Sequence, residues 1–285
     1  MTTLRHRIRE LSQASRSPVI ATATITSLTE ATPGYTCVTL ESEALADYAP
    51  TLPADAVKIA VPGAGEAPEL RAMTVARRPS PTSIEIEVLR HDGGIVGPWI
   101  AAAKPGDTVE VYAVRREHAL GDGVTRHLIV ADSSALPAAA SIVAAIPRDH
   151  RISLIAETPA AERSRELLPA HPGLRVTLLR GNEWNEERVA GLVRAEPIEP
   201  GDPLQSWIAA EAEIVARLRR QLREAGHPRD HLFAAAYWKA GRDSTARDRL
   251  IGEAFAEAAA RQADLADPSV RGEVESAADA RKVAP

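Results

Sequence analysis

His127-Leu128-Ile129-Val130-Ala131-Asp132-Ser133-Ser134-Ala135-Leu136-Pro137 marks a change of rhythm in this chain. His127 to Ala131 is a short, largely apolar run without alternation, as expected of a strand buried on both faces. A polar Asp-Ser-Ser loop follows, and Ala135 to Ile146 fits a helix with Ser133 or Ser134 as its candidate cap. The same strand-then-helix order continues downstream. Ile152 to Ile155 and Leu174 to Leu179 read as strands. Ser206 to Ala210 leads into a helix carrying Val215, Leu218 and Leu222 on one face, and His231 to Tyr237 reads as a last strand. Strands alternating with helices predict a parallel sheet covered on both sides. Gly191 to Pro203, dense in Pro and Gly, reads as a loop within that unit.

Upstream of Gly121-Asp122-Gly123 the pattern is different. Ile20 to Thr26 is rich in residues that suit a pleated surface. Ser83-Ile84-Glu85-Ile86-Glu87-Val88-Leu89 alternates apolar and polar, and Thr108 to Tyr112 repeats this after the turn Lys104-Pro105-Gly106-Asp107. Several short strands with turn signals predict a small antiparallel β-barrel. The expected fold is therefore an antiparallel barrel followed by an α/β domain with a parallel sheet. The expected boundaries are residues 1–19 for an N-terminal helix, 20–119 for the barrel, 120–242 for the α/β domain, and 243–285 for a helical stretch, disordered from about Asp267.

Composition bounds the function. The chain has 285 residues, enough for two domains, and 45% hydrophobic content, enough to fill two cores. A net charge of -5, with no basic run interleaved with aromatics, argues against a nucleic-acid partner. The single cysteine, Cys37, lies in the strand-like run Tyr35 to Leu40 and reads as a buried structural thiol. No Cys/His spacing suggests a metal site. Leu4 to Leu11 reads as a short amphipathic helix without the apolar core of a signal peptide. No segment is long and apolar enough to span a bilayer, so a soluble, cytoplasmic protein is expected.

Five short signatures carry candidate chemistry. In Arg71-Ala72-Met73-Thr74 an arginine and a hydroxyl near a strand edge can hold a phosphate and donate a hydrogen bond; a surface Arg and an ordinary strand Thr read equally well. His91-Asp92-Gly93-Gly94-Ile95-Val96-Gly97-Pro98-Trp99 combines close backbone approach at Gly94 and Gly97 with a helix that Pro98 is expected to open, or is simply a Gly-rich turn. Asp132 to Pro137 stands at the carboxyl end of a parallel strand, where ligands bind. Trp207-Ile208-Ala209-Ala210-Glu211 ends a strand, and Glu211 suits a helix N-terminus. Tyr237-Trp238-Lys239-Ala240-Gly241 closes the last strand. Lys58 and Lys239 are candidates for an anionic substrate, or solvated surface charges. No Gly-x-Gly-x-x-Gly, no Gly-x-Ser-x-Gly and no catalytic Ser/His/Asp set occurs, so no catalytic residue is assigned.

Taken in this order, the signatures from about Ile20 to Arg242 resemble the siderophore-interacting proteins, a flavin-reductase family of the ferredoxin-reductase superfamily. The resemblance implies FAD between barrel and sheet. Arg71 would lie near its pyrophosphate, Met73 where the family has a ring-stacking Tyr, and Thr74 near the redox-active ring edge. His91, Gly94, Gly97 and Trp99 would lie along the flavin phosphates, with Asp132 and Ser134 at the sheet end and Trp238 near the adenine. NAD(P)H or ferredoxin would supply electrons, and a ferric siderophore would receive them. The chain departs from the family at Met73, Ile95, Ser133, Ser134 and Ala210. Tyr112-Ala113-Val114-Arg115-Arg116 also lacks the family's Gly-Pro-x-Gly. These departures support an alternative: a reused scaffold acting as a non-redox cyclase or small-molecule-binding protein of secondary metabolism.

Overall fold

The computed structural model describes residues 4–14, 20–32, 34–48, 51–62, 68–91, 94–158, 163, 166, 168–198, 203–241, 244–263 and 274. The chain divides into two compact units, Met1–Tyr237 and Trp238–Pro285.

The first unit opens with helix α1, Leu4–Ala14. Strands β1 (Ile20–Thr32), β2 (Tyr35–Glu41), β3 (Ala56–Val61), β4 (Glu69–Ser80), β5 (Ser83–Leu89) and β6 (Thr108–Arg115) then close an antiparallel barrel in the order β1-β2-β5-β4-β3-β6. Alternation explains which residues fill it. Val57, Ile59, Met73, Val75, Ile84, Ile86, Val109 and Val111 turn inward to one apolar cluster, and Trp99 and Ile100 from helix α2, Val96–Ala102, complete that cluster. Cys37 is buried on β2 and is a free thiol.

The second half of this unit holds a five-stranded sheet. Its strands are β7 (Arg126–Ala131), β8 (Arg151–Glu157), β9 (Leu174–Leu179), β10 (Leu204–Glu211) and β11 (Leu232–Trp238), ordered β11-β10-β7-β8-β9. The pairs β10–β7, β7–β8 and β8–β9 are parallel. Burial on both faces explains the unbroken apolar runs. Ile129, Leu154 and Trp207 pack against helix α3, Leu136–Ala145. Leu128, Val130, Ile155 and Ile208 pack against helices α4 (Glu186–Arg194) and α5 (Ala212–Glu224) on the other face.

Three local expectations need correcting. Neither Ser133 nor Ser134 caps α3; the cap position is Ala135 and has no side-chain bond, because both serines are committed elsewhere. Pro98 does not open α2, which starts at Val96 and places Pro98 within its first turn. Gly191 is not the start of a loop but lies inside α4. Asn185 caps that helix by accepting from Arg188 N, and Val189, Ala190 and Val193 form its buried face.

In the second unit, helix α6 spans Ser244–Ala260. The tail from Asp267, expected to be disordered, lies outside the described residues apart from Val274.

Candidate functional site

The candidate residues of the barrel lie on β4 and around α2. Arg71 is nearly buried and donates to Glu69 Oε2 at 2.5 Å and to the Leu70 carbonyl at 3.1 Å. In the β3–β4 register it faces Ile59, Met73 faces Val57, and Thr74 faces Ala56. The Met73 side chain joins the barrel's apolar cluster, as does that of Trp99. Thr74 is buried on the strand face opposite to Met73. Lys58 is exposed on β3, between Ala72 and Tyr112 of the neighbouring strands. Beyond β5, His91 is exposed. Its carbonyl oxygen would lie 2.6 Å from a Cβ placed on Gly97, so only glycine suits that position. Gly94 has φ +73°, which also favours glycine.

At the carboxyl ends of β7 and β8 a dense set of hydrogen bonds fixes the loop Asp132-Ser133-Ser134. Ser133 donates to Glu157 Oε2 from its backbone N at 3.0 Å and its hydroxyl at 2.7 Å. Ser134 donates to Asp132 Oδ1 from its N at 3.0 Å and its hydroxyl at 2.6 Å. These four donors point at carboxylates. A phosphate arriving here would have to replace them. Glu211, on the neighbouring β10, accepts from Glu213 N at 2.6 Å and caps α5, as its position suggested. Ala210 is wholly buried against α5.

The barrel meets the sheet along a seam of buried polar groups. Tyr35 donates from its hydroxyl to the Ser133 carbonyl at 2.7 Å, and Ala54 N donates to Ser141 Oγ of α3 at 2.8 Å. Asp55 and Arg116 form an ion pair with both side chains almost fully buried. Tyr48 and the Leu52 amide also donate to Asp55 Oδ2, at 2.6 and 2.7 Å. Burial outweighs these favourable partners and pushes the Asp55 carboxyl up to about 6. Next in the chain, Glu117 is wholly buried, accepts from the Tyr237 hydroxyl at 2.6 Å and pairs with Arg115. Burial, then the Glu117 charge, pushes the Tyr237 phenol well above its usual value, while hydrogen bonding from Thr74 opposes that shift.

The structure thus brings Thr74 together with Tyr237 and Glu117, two residues to which the sequence assigned no role. It leaves Met73 and Trp99 in the barrel core and holds Asp132 and Ser134 in their own loop. Trp238 and Lys239 open the second unit, with Trp238 exposed. The signal for the seam was the charged run Arg115-Arg116-Glu117-His118 at the end of β6. Charged residues are buried only when paired, and their partners are distant in sequence. Among the described residues no group of His, Cys, Asp or Glu could hold a metal ion. No helix among them is long and apolar enough to cross a membrane.

The donor set on β4 fits a flavin. A guanidinium at the strand edge suits phosphate, a hydroxyl at the seam suits a ring heteroatom, and the glycines at 94 and 97 permit close backbone approach. The glutamate already bound to Arg71 is a competitor for that phosphate.

Comparison with known proteins agrees with this architecture. Residues 124–241 match the family model for siderophore-interacting protein. The chain is 29% identical over 181 residues to the mycobactin import ATP-binding/permease protein IrtA of Mycobacterium tuberculosis, covering 60% of this chain and 20% of that protein. It is 25% identical over 165 residues to the NADPH-dependent ferric-chelate reductase of Escherichia coli, covering 55% of this chain and 61% of that one. The matches therefore span about a fifth of the first relative and three fifths of the second. Among solved structures, the siderophore-interacting protein of Acinetobacter baumannii superposes with TM-score 0.74 at 20% identity, covering 84% of this chain and 98% of that one. The ferredoxin reductase of carbazole 1,9a-dioxygenase superposes with TM-score 0.62 at 20% identity, over 77% of this chain and 69% of that one. Six closed strands, a covered parallel sheet and the superpositions agree on a ferredoxin-reductase-like fold, and residues 124–241 are similar to the siderophore-interacting protein family.

Proposed function

We propose that this chain is an FAD-dependent oxidoreductase that passes electrons to iron(III) held by a siderophore. The observation that carries the reading is the pairing of a siderophore-interacting domain with a barrel that presents Arg71 and Thr74 on one strand. Bound flavin supplies the electron-transfer chemistry; the protein supplies binding, orientation and electrostatics. Arg71 holds the pyrophosphate through charge-assisted hydrogen bonds, once Glu69 yields it. Thr74, buried on β4, would offer its hydroxyl to the flavin ring. His91, Gly94 and Gly97 shape the backbone near the phosphates. Trp238 serves the adenine end. Lys58 and Lys239 attract an anionic ferric chelate through their charge. NAD(P)H would supply the electrons; for Ser133 and Ser134 at the sheet's carboxyl end to hold its phosphate, they would have to release Glu157 and Asp132. The barrel, residues 20–119, and the α/β part, residues 120–242, act as the flavin-binding and donor-side halves of a soluble, cytoplasmic enzyme.

The test is an FAD titration of the purified protein, followed by anaerobic addition of NADPH or NADH. A yellow complex that either donor bleaches is the expected result. A protein that stays colourless with FAD in excess rejects the flavin reading and favours a reused, non-redox scaffold.

A further inference from the structure

The end of the sheet opposite the Asp132-Ser133-Ser134 loop holds a cavity of about 520 Å³. Arg126 and Arg151 are the first residues of β7 and β8 and direct partners in the parallel register, so both side chains leave the same face of the sheet. Both line the cavity, as does Arg175 near the start of β9. Neighbouring strands lie about 4.8 Å apart, so Arg126 and Arg151 place like charges side by side, which is unfavourable unless an anion joins them. Glu196, the one carboxylate among the described lining residues, is engaged by the third arginine. Both of its oxygens accept from Arg175 Nη2 at 2.6 Å, and the Ser153 hydroxyl donates to its Oε2 at 2.9 Å. Arg126 is steadied by the Pro197 carbonyl, which accepts from its Nη2 at 3.0 Å. Arg151 is exposed and has no ion pair or side-chain hydrogen bond among the described residues.

A single guanidinium matches the two oxygens of a carboxylate. Two guanidiniums from adjacent strands call for a group with more acceptors, and a phosphoryl group offers three oxygens. The cavity is larger than a phosphoryl group alone requires and falls within the range of small-molecule sites, and the buried side chains of Leu128 and Leu204 give it an apolar floor. We infer that this cavity binds a small organic phosphate, with the phosphoryl group between Arg126 and Arg151 and an apolar body on Leu128 and Leu204. At about 3.3 Å per residue, the two ends of β7 lie roughly 16 Å apart. The site is therefore separate from the loop at the carboxyl ends of β7 and β8, and it stands whether or not the chain binds flavin.

The experiment is calorimetric titration of the full chain with phenyl phosphate at about 0.15 M salt, where long-range charge effects are screened. Benzoate, which carries a carboxylate on the same ring, and inorganic phosphate, which lacks the ring, are titrated alongside. Phenyl phosphate should bind saturably to one site, at least about tenfold more tightly than benzoate, and more tightly than inorganic phosphate. Arg151→Gln should weaken it by about ten- to a hundredfold, and Arg126→Gln in the same direction. Arg151 is exposed at a strand end, so its variant tests the site even if Arg126→Gln fails to fold. Arg220→Gln removes the same charge from an exposed position on α5 outside the cavity and should leave the affinity unchanged. A wild-type chain without saturable binding, or an affinity untouched by Arg151→Gln, overturns the inference. So does an equal loss in Arg220→Gln, which would report net charge alone. Benzoate binding as tightly as phenyl phosphate overturns the assignment to a phosphoryl group.

Discussion

Arg71 is held by Glu69 at 2.5 Å, so the residue best suited to grip a phosphate already has a carboxylate partner. Two opposite outcomes follow at this one position. Arg71→Ala should weaken FAD binding by on the order of 1.5–3 kcal/mol, roughly ten- to a hundredfold. Glu69→Gln should tighten it, since it removes the competing charge and leaves the guanidinium in place; fluorescence titration of FAD checks both. Met73 gives a prediction of a different kind. In sequence it occupies the position of a ring-stacking residue, yet its side chain joins the apolar cluster inside the barrel. Met73→Tyr should therefore overfill that core and lower stability by about 1–3 kcal/mol, measured by urea unfolding, without tightening flavin binding. Sequence placed Met73 and Thr74 in one motif. Only the pleat of β4 separates them, sending Met73 inward and Thr74 to the seam.

Helix α4 is an element whose signals were present but outweighed. Asn185 followed by Glu186 and Glu187, with Val189 and Val193 four apart, is a capped amphipathic start, but the Pro and Gly that follow Val189 suggested a loop. Asn185→Ala should cost about 1 kcal/mol of stability through loss of the bond from Arg188 N. Strand β7 carries a pH-dependent contribution. His127 is buried, lies 3.0 Å from His150 between ring nitrogens, and stacks on it at 5.3 Å. Burial first, then the nearby histidines, pushes His127 down to about 3; burial alone pushes His118 down to about 4. Unfolding restores both towards the usual 6.5, so below that pH the unfolded chain binds more protons. The stability these histidines contribute is complete above about pH 6.5 and is lost as pH falls toward 4 and 3, by up to about 1.4 kcal/mol per pH unit for each. Asp55, raised to about 6 from 3.8, works the other way and loses its contribution as pH rises through that interval. Urea midpoints at pH 7 and pH 5 should therefore differ less in His127→Gln than in the wild type. An equal difference in the two proteins would remove His127 as a source of the acid sensitivity.

For the whole molecule, the two halves were legible because their rhythms differ: alternation at Ser83 to Leu89, an unbroken apolar run at Leu128 to Ala131. Period and burial fix such patterns locally. The seam between the halves was not legible, because its bonds join residues far apart in the chain. Asp55 and Arg116 are 61 positions apart, and Glu117 and Tyr237 are 120 apart. No local pattern marks either pair. Tyr237, at the end of the last strand, therefore reaches back to the segment that leaves the barrel, so a redox site at the seam depends on both halves of the fold. That a flavin at this seam gives its electrons to chelated iron is the central claim. The most direct measurement reduces the FAD-loaded protein anaerobically, adds a ferric siderophore, and follows flavin absorbance with a ferrous-specific chelator present. The flavin colour should return as ferrous iron appears in step with it, and more slowly in Arg71→Ala at limiting FAD. A protein that binds no FAD, or a bound flavin that stays reduced in the presence of the ferric siderophore, would contradict the account.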